Sequence, residues 1–205
     1  MIEVITLKVG QWETNCYLVT PEGGEKSMII DPGAEPERIL SQAEGLTIKY
    51  IINTHGHSDH IGANGKIKES TGAPLLIHRD DASMLVHPEK NLSLLWGQEV
   101  ISPLADRLLE GGEKIELAGM VWRVIHTPGH SPGGISLLGE HWLFSGDTLF
   151  AGSVGRTDLP GASWEVLLKS IREELLTLDD EVTVYPGHGP STTIGEERRW
   201  NPFLQ

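Results

Sequence analysis

Apolar and polar positions along this chain follow two periods in turn, with Gly and Pro marking the changes. Strand-like patterning predicts β-strands over Met1–Val9, Cys16–Thr20 and Ser27–Ile30, joined by turns at Gly10–Asn15 and Pro21–Glu25. Lys49–Asn53 is an apolar run of strand length with both faces hydrophobic, which predicts a buried strand. Leu75–His78, Lys114–Leu117, Val121–His126, Ile135–Leu138, Trp142–Ser145 and Val182–Tyr185 read as further strands. Helical spacing is clearest at Trp164, Leu167, Leu168, Ile171 and Leu175, which predicts a helix over Trp164–Leu176. Shorter helices are expected at Pro36–Ala43 and Ile61–Ser70, with a helical turn at Asp80–Val86. Asn91–Leu109 fits neither period; its Leu94, Leu95 and Trp96 suit a lid or a satellite core equally. No linker or low-complexity tract interrupts the pattern, so residues 1–205 are expected to form one domain. Strands alternating with helices predict a mixed α/β layered fold.

Charge narrows the range of partners. Lys and Arg total 16 against 29 Asp and Glu, a formal net charge of -13, which repels phosphate backbones and anionic lipids. Nucleic acid and membrane surfaces are therefore not expected partners. The single cysteine, Cys16, rules out an intramolecular disulfide and a thiolate-built zinc site. Met1-Ile2-Glu3-Val4 lacks the basic start and apolar run of a signal peptide, and no stretch approaches the length of a membrane span. The expectation is a cytoplasmic protein.

The densest chemistry is Thr54-His55-Gly56-His57-Ser58-Asp59-His60, directly after the buried strand. Imidazole suits zinc, iron and similar cations, and carboxylate adds a harder ligand. Gly56 lets the backbone bend, so the segment can wrap around one or two centres. Four ligand-type side chains in six residues have no packing explanation, because a core avoids unpaired polar groups. His126-Thr127-Pro128-Gly129-His130, Ser145-Gly146-Asp147-Thr148 and Tyr185-Pro186-Gly187-His188-Gly189 repeat the layout of a strand followed by a sharp turn. Alone, His130 or His188 reads more readily as a structural histidine, and Asp147 as a turn cap. Together the set is His55, His57, Asp59, His60, His130, Asp147 and His188, more than one catalytic zinc uses, so two metals are indicated. Asp31, before Pro32-Gly33, is either a turn residue or a carboxylate partner for the far ring nitrogen of a ligand histidine. His126 is read as structural or as such a support, and His78, His87 and His141 as surface or packing residues.

These residues resemble the metallo-β-lactamase-fold hydrolases, and within them the short, single-domain bacterial members of the glyoxalase II (hydroxyacylglutathione hydrolase) group. The T-H-x-H-x-D-H motif at 54–60 is specific to that superfamily, and His126–Ser131, Phe144–Asp147 and Tyr185–Gly189 follow in the family's order. Matching stretches run from Asn15-Cys16-Tyr17 to Asn201-Pro202-Phe203, with Phe150–Gly161 and Pro186–Leu204 resembling the short members most. The resemblance implies a four-layer αββα sandwich. It implies that His55, His57 and His130 hold one divalent metal ion, that Asp59, His60 and His188 hold a second, and that Asp147 bridges them. Zinc is the leading occupant, with iron or manganese as alternatives. The implied activity is a thioesterase that cleaves S-2-hydroxyacyl thiols such as S-lactoylglutathione through a metal-bridging hydroxide, with Asp59 orienting the nucleophile. The expected partner is thus a small-molecule thioester.

Two departures from the two-domain glyoxalase II enzymes bear on the substrate. Only 17 residues follow His188, too few for the helical domain that contacts the glutathione carboxylates, so weaker glutathione affinity or a different thiol is expected. Arg156 stands where the family places a basic substrate contact, but Asp158 replaces the aromatic residue two positions on. Arg156 therefore either binds a substrate carboxylate or pairs with Asp158. Trp12 either shelters the site or faces solvent; Arg198, Arg199 and Trp200 either close the pocket or pack on the last helix. A mononuclear-iron persulfide dioxygenase of the same fold is the alternative function, and the complete set of seven ligand positions favours the two-metal hydrolase. A nuclease lacks its basic groove here, a non-catalytic metal sensor would need a blocked pocket, and a true β-lactamase would be expected to carry an export signal.

Overall fold

A computed structural model describes residues 1–205. The first sheet has six strands in sequence order: β1 (Ile2–Val9), β2 (Thr14–Pro21), β3 (Lys26–Ile30), β4 (Thr47–Ile52), β5 (Leu75–His78) and β6 (Arg107–Leu109). β1, β2 and β3 pair antiparallel, and β3 through β6 pair parallel. The second sheet comprises β7 (Lys114–Leu117), β8 (Met120–His126), β9 (Ile135–Leu138), β10 (Trp142–Gly146), β13 (Thr183–Pro186) and β14 (Thr192–Thr193), in the order β14-β13-β10-β9-β8-β7. A small hairpin, β11 (Leu149–Phe150) and β12 (Ser153–Val154), stands beside it. The helices are α1 (Pro36–Gln42), α2 (Ser58–Ile61), α3 (Asn64–Thr71), α4 (Trp164–Ser170) and α5 (Ile194–Trp200).

Side-chain alternation sorts these elements into four layers. On β3, Met28 and Ile30 face the space between the sheets while Ile29 faces away; on β10, Phe144 faces inward and Leu143 outward. The inner core joins Tyr17, Val19, Ile52 and Leu76 of the first sheet to Trp122, Leu137 and Phe144 of the second. Ile39 of α1 and Ile67 of α3 cover the outer face of the first sheet. Leu167 of α4, with Ile171, Leu175 and Ile194, covers the outer face of the second. The result is the αββα sandwich. No helix is long and apolar enough to cross a membrane.

Several boundaries differ from the sequence reading. The helix expected at Ile61–Ser70 is split into α2 and α3, because Gly62 presses on the Asp31–Gly33 turn: a Cβ there would lie 2.4 Å from the Gly33 carbonyl oxygen. The helix expected at Trp164–Leu176 widens to a π turn over Ile171–Leu175. β2 begins at Thr14, so Thr14 and Asn15 belong to the strand and not the turn. Asn91–Leu109 contains a 3₁₀ turn at Ser93–Trp96 and the short β6. Leu94, Leu95 and Trp96 stay exposed, so they are no satellite core. Arg198 donates to the carbonyls of Leu176 and Leu178, and Arg199 pairs with Asp180 at 2.8 Å. These arginines thus cap the end of the α4 segment, and Trp200 faces solvent and does not line the cavity over the clustered side chains.

Phe144 is fully buried between the sheets, 5.0 Å from the ring of Tyr17 and 5.1 Å from that of Tyr185. Phe144→Ala is expected to lower unfolding free energy by about 3–5 kcal/mol, read as a reduced midpoint in urea with an unchanged slope.

Candidate metal centre

Six strands run to one edge of the sandwich and deliver polar side chains there. β4 leads into Thr54–His60, β3 into Asp31, and β5 into the turn that carries Asp81. β8 leads to His130, β10 to Asp147 and β13 to His188. Among the parallel strands of the first sheet, β3, β4 and β5 end on the same side, and parallel pairing of β10 with β13 does the same for the second.

The seven residues marked in the sequence come together as overlapping groups able to hold a metal ion. His55, His57 and His130 form one triad, and Asp59, His60 and His188 another; within each, the ligand atoms lie within 4.8 Å of one another. Asp147 lies between them. Its Oδ2 is 3.5 Å from His130 Nε2 and 3.5 Å from His188 Nε2, while Oδ1 is 3.5 Å from His60 Nε2. His60 Nε2 and His188 Nε2 approach Asp59 Oδ2 at 3.4 and 3.3 Å.

The outer ring nitrogens are occupied in ways that fix the tautomers. His130 Nδ1–H donates to the Arg156 carbonyl at 2.9 Å, and His188 Nδ1–H to the Trp12 carbonyl at 3.0 Å. Thr54 spends its one hydroxyl proton on Asp31 Oδ2 at 2.6 Å, so the 3.2 Å contact with His55 requires a proton on His55 Nδ1. His60 Nδ1 lies 3.0 Å from Asp31 Oδ2, bent away from ideal hydrogen-bond direction. Each of these four histidines therefore turns its Nε2 inward. His57 instead brings Nδ1 to within 2.9 Å of His130 Nε2.

Inside the cluster, His55 Nε2, His60 Nε2 and Asp147 Oδ1 are buried without a hydrogen-bond partner. Natural interiors rarely tolerate such atoms, and a cation would satisfy them together. The residues thus fit a metal. Burial, with neighbouring imidazoles adding to it, pushes His55 and His57 well below the usual histidine range, which leaves them neutral and free to donate a lone pair. Burial works the same way on His60 and His188, but Asp59 and Asp147 outweigh it and hold both above that range. Those two rings keep a proton that a bound cation would displace.

Four further supports, Asp81, Asn15, Tyr17 and Thr14, have no role assigned from the sequence. Asp81, fully buried, accepts from Gly56 N–H at 3.0 Å, Ser131 Oγ at 2.7 Å and Gly133 N–H at 2.6 Å. One carboxylate thereby ties the His55–His57 loop to the His130 loop. Asn15 Nδ2 donates to the Pro186 and Gly189 carbonyls, both at 2.9 Å, and Tyr17 Oη donates to Pro186 at 2.6 Å, pinning the His188 turn. Thr14 Oγ1 donates to Asp59 Oδ2 at 3.1 Å. Asp31 adopts positive φ and accepts from Thr54 N–H at 2.7 Å, so it both forms the turn and backs the histidines. A separate group, His78, Asp80 and His126, lies apart, with its two imidazole rings stacked 4.1 Å apart and 13° from parallel.

A cavity of about 350 Å³ opens over the two triads, lined by Trp12, Asn91, Leu92, Trp96, Phe150 and Arg156 among others. Arg156 reaches this wall, yet its guanidinium is bidentate to Asp158, with both bonds at 2.7 Å.

Two substitutions test the geometry. A Cβ on Gly187 would lie 2.1 Å from Asp147 Oδ1, so Gly187→Ala is expected to displace that carboxylate and weaken cation binding about 10–100-fold, measured by competition with a chromogenic chelator. Asp81→Asn removes one acceptor oxygen and is expected to weaken cobalt binding at the first triad by a similar factor, read from the Co(II) absorption spectrum, with the far-UV circular dichroism unchanged.

The sequence profile of the Metallo-beta-lactamase superfamily matches residues 9–188, a span that includes all seven clustered side chains. Hydroxyacylglutathione hydrolase GloC of Haemophilus influenzae is 38% identical, covering 99% of this chain and 97% of that protein. Among solved structures, the BLEG-1 B3 metallo-beta-lactamase gives a TM-score of 0.94 at 38% identity, covering 100% of this chain and 99% of that one. TTHA1623, solved in a di-iron-bound form, gives 0.87 at 41% identity over 98% of this chain and 100% of that one. Fold, cluster geometry and matched residues agree, and the chain belongs to the metallo-β-lactamase superfamily.

Proposed function

We propose that this metallo-hydrolase is a thioesterase that cleaves S-2-hydroxyacyl thiols such as S-lactoylglutathione. The observation that carries the reading is Asp147, which stands within 3.5 Å of ring nitrogens from both triads beneath an open cavity. In this reading His55, His57 and His130 would hold one cation and Asp59, His60 and His188 the other, with Asp147 standing between the two triads. The 38% identity with a protein named hydroxyacylglutathione hydrolase supports the substrate class. Zinc is the leading occupant, and the di-iron form of TTHA1623 supports iron as an alternative.

A pair of divalent cations supplies a water acidic enough to act as hydroxide near neutral pH and an electrophile for the carbonyl oxygen. The chain's own groups do the rest. Asp59, oriented by the Thr14 hydroxyl, faces the cavity and aligns the water through its carboxylate. The Arg156 and Trp12 carbonyls hold the proton on the outer nitrogen of His130 and His188, which keeps the inner nitrogens as donors. In the overall reaction the water oxygen bonds to the acyl carbon, the C–S bond breaks, and the thiol departs with one of the water's protons.

The complete second triad supports two cations over one, and so favours the hydrolase over the mononuclear-iron persulfide dioxygenase. The likeness to BLEG-1 at TM-score 0.94 gives a second reading, hydrolysis of a β-lactam amide by the same groups.

The test is release of free thiol from S-lactoylglutathione by metal-reconstituted protein, with Asp147→Ala as control and nitrocefin as the competing substrate. Wild-type release that falls about 100-fold or more in the control, together with loss of a bound cation, is the expected result. Full activity of Asp147→Ala with two cations bound would remove Asp147 from the bridge. Nitrocefin turnover without thiol release would transfer the assignment to the lactam.

A further inference from the structure

The wall of the cavity is unlike a receptor for a charged thiol. Trp12 and Trp96 come from loops far apart in sequence, yet their rings lie 4.8 Å apart at the rim, tilted by 59°. Both remain exposed, at 45% and 47%, although they are the largest apolar side chains beside the centre. Paired exposed aromatics over a concave site mark a recognition surface. Leu92, Phe150, Val154 and Leu159 continue the apolar wall downward.

Neither tryptophan is loosely held. The Trp12 carbonyl accepts the His188 Nδ1–H at 3.0 Å, so its backbone is fixed to the centre itself. The Trp96 segment hangs from Asn91, whose carbonyl accepts the Ser58 N–H at 2.9 Å and whose side chain donates to the Met84 and Val100 carbonyls at 3.0 and 2.8 Å. Ser58 immediately precedes Asp59. The backbones of both tryptophan-bearing loops are thus tied by hydrogen bonds to the loops that carry Asp59 and His188. Cations are scarce by comparison: Arg156 is the one Lys or Arg along the wall, and the Nε–Nη2 edge of its guanidinium is engaged by Asp158.

We infer that the Trp12–Trp96 pair determines specificity and that the preferred thioesters carry an extended apolar substituent beside the thioester bond, not the carboxylates of glutathione. This rests on the thioesterase reading for its chemistry, but the binding surface is independent of turnover. A hydrocarbon chain laid between the rings and Phe150 leaves water and exchanges contact with both tryptophans. The cavity of about 350 Å³ has room for a chain of several carbons and the thioester together.

The experiment has two arms and a binding readout. In the first arm, kcat/KM is measured for acetyl, butyryl and hexanoyl thioesters of N-acetylcysteamine; in the second, acetyl thioesters of ethyl, butyl and hexyl thiols are used. Each fully buried methylene is worth about fourfold, so a partly open groove is expected to give about tenfold or more across at least one series. The arm that rises identifies which side of the thioester carries the chain. In Trp96→Ala and Trp12→Ala that ratio is expected to collapse toward unity, whereas Trp96→Phe keeps most of it. The binding readout is isothermal titration calorimetry with the non-hydrolysable thioether S-hexyl-N-acetylcysteamine. A saturable binding heat is expected, lost in the double Trp12→Ala, Trp96→Ala variant.

Flat chain-length dependence in both arms, or an unchanged ratio in the alanine variants, overturns the inference even if S-lactoylglutathione is cleaved well. Saturable thioether binding that needs both rings, with no thioester cleaved, upholds the apolar wall and removes the thioesterase reading.

Discussion

Convergence in a dry place is the constraint on which the rest of this structure depends. Five imidazoles and two carboxylates must turn polar atoms toward a common centre where His55 Nε2, His60 Nε2 and Asp147 Oδ1 find no protein hydrogen-bond partner. Such an arrangement is unfavourable unless an ion completes it, and unstable in orientation unless each ring is held from behind. The chain meets the second need largely with backbone carbonyls and buried carboxylates. Arg156 and Trp12 contribute carbonyls to His130 and His188, Asp31 backs His60 and Thr54, and Asp81 fastens two loops from opposite sheets.

This division explains why the fold puts its effort where it does. The inner core of Trp122, Phe144 and aliphatic residues holds the two sheets in register, so that loops leaving one sheet meet loops leaving the other at fixed distance. Glycines appear where two such loops touch: Gly33 packs on the Asp59 carbonyl, and Gly155 on that of Asp147. Any side chain at either position would drive a ligand-bearing backbone away from the centre. Charge is graded across the cluster as well. The neutral histidines His55 and His57 lie on one side, and the carboxylate-rich triad, with its raised histidines, on the other.

Much of the sandwich was legible in the sequence because alternation is a local signal: in Lys114-Ile115-Glu116-Leu117 polar and apolar residues alternate, and the two apolar ones are those that are buried. The seven clustered side chains were legible because four of them crowd into one short segment and the others follow strand ends. What escaped was non-local or too short to carry a period. Gly62 looks like an ordinary helical residue until the Gly33 backbone is seen against it. Two-residue strands such as β11 and β14 have no periodicity to read. Asp81 was invisible because its partners lie 25, 50 and 52 positions away. Helix α5 did leave a mark, since Thr193 caps Glu196 N–H in the spacing of a capping box. The tryptophan pair was half legible: Trp12 and Trp96 each stood out, but nothing in the sequence joined them.

The hydrogen bonds from Asn15 to Pro186 and Gly189 span 171 and 174 residues of chain. On the ribosome that separation is time. At ordinary elongation rates, about 10–30 s pass between the synthesis of β2 and that of the turn it must hold. Throughout that interval the amide of Asn15 and the hydroxyl of Tyr17 have no native acceptor, while the residues of the first triad are all made by His130. The His188 turn therefore cannot be pinned until well after the strand that holds it has been made.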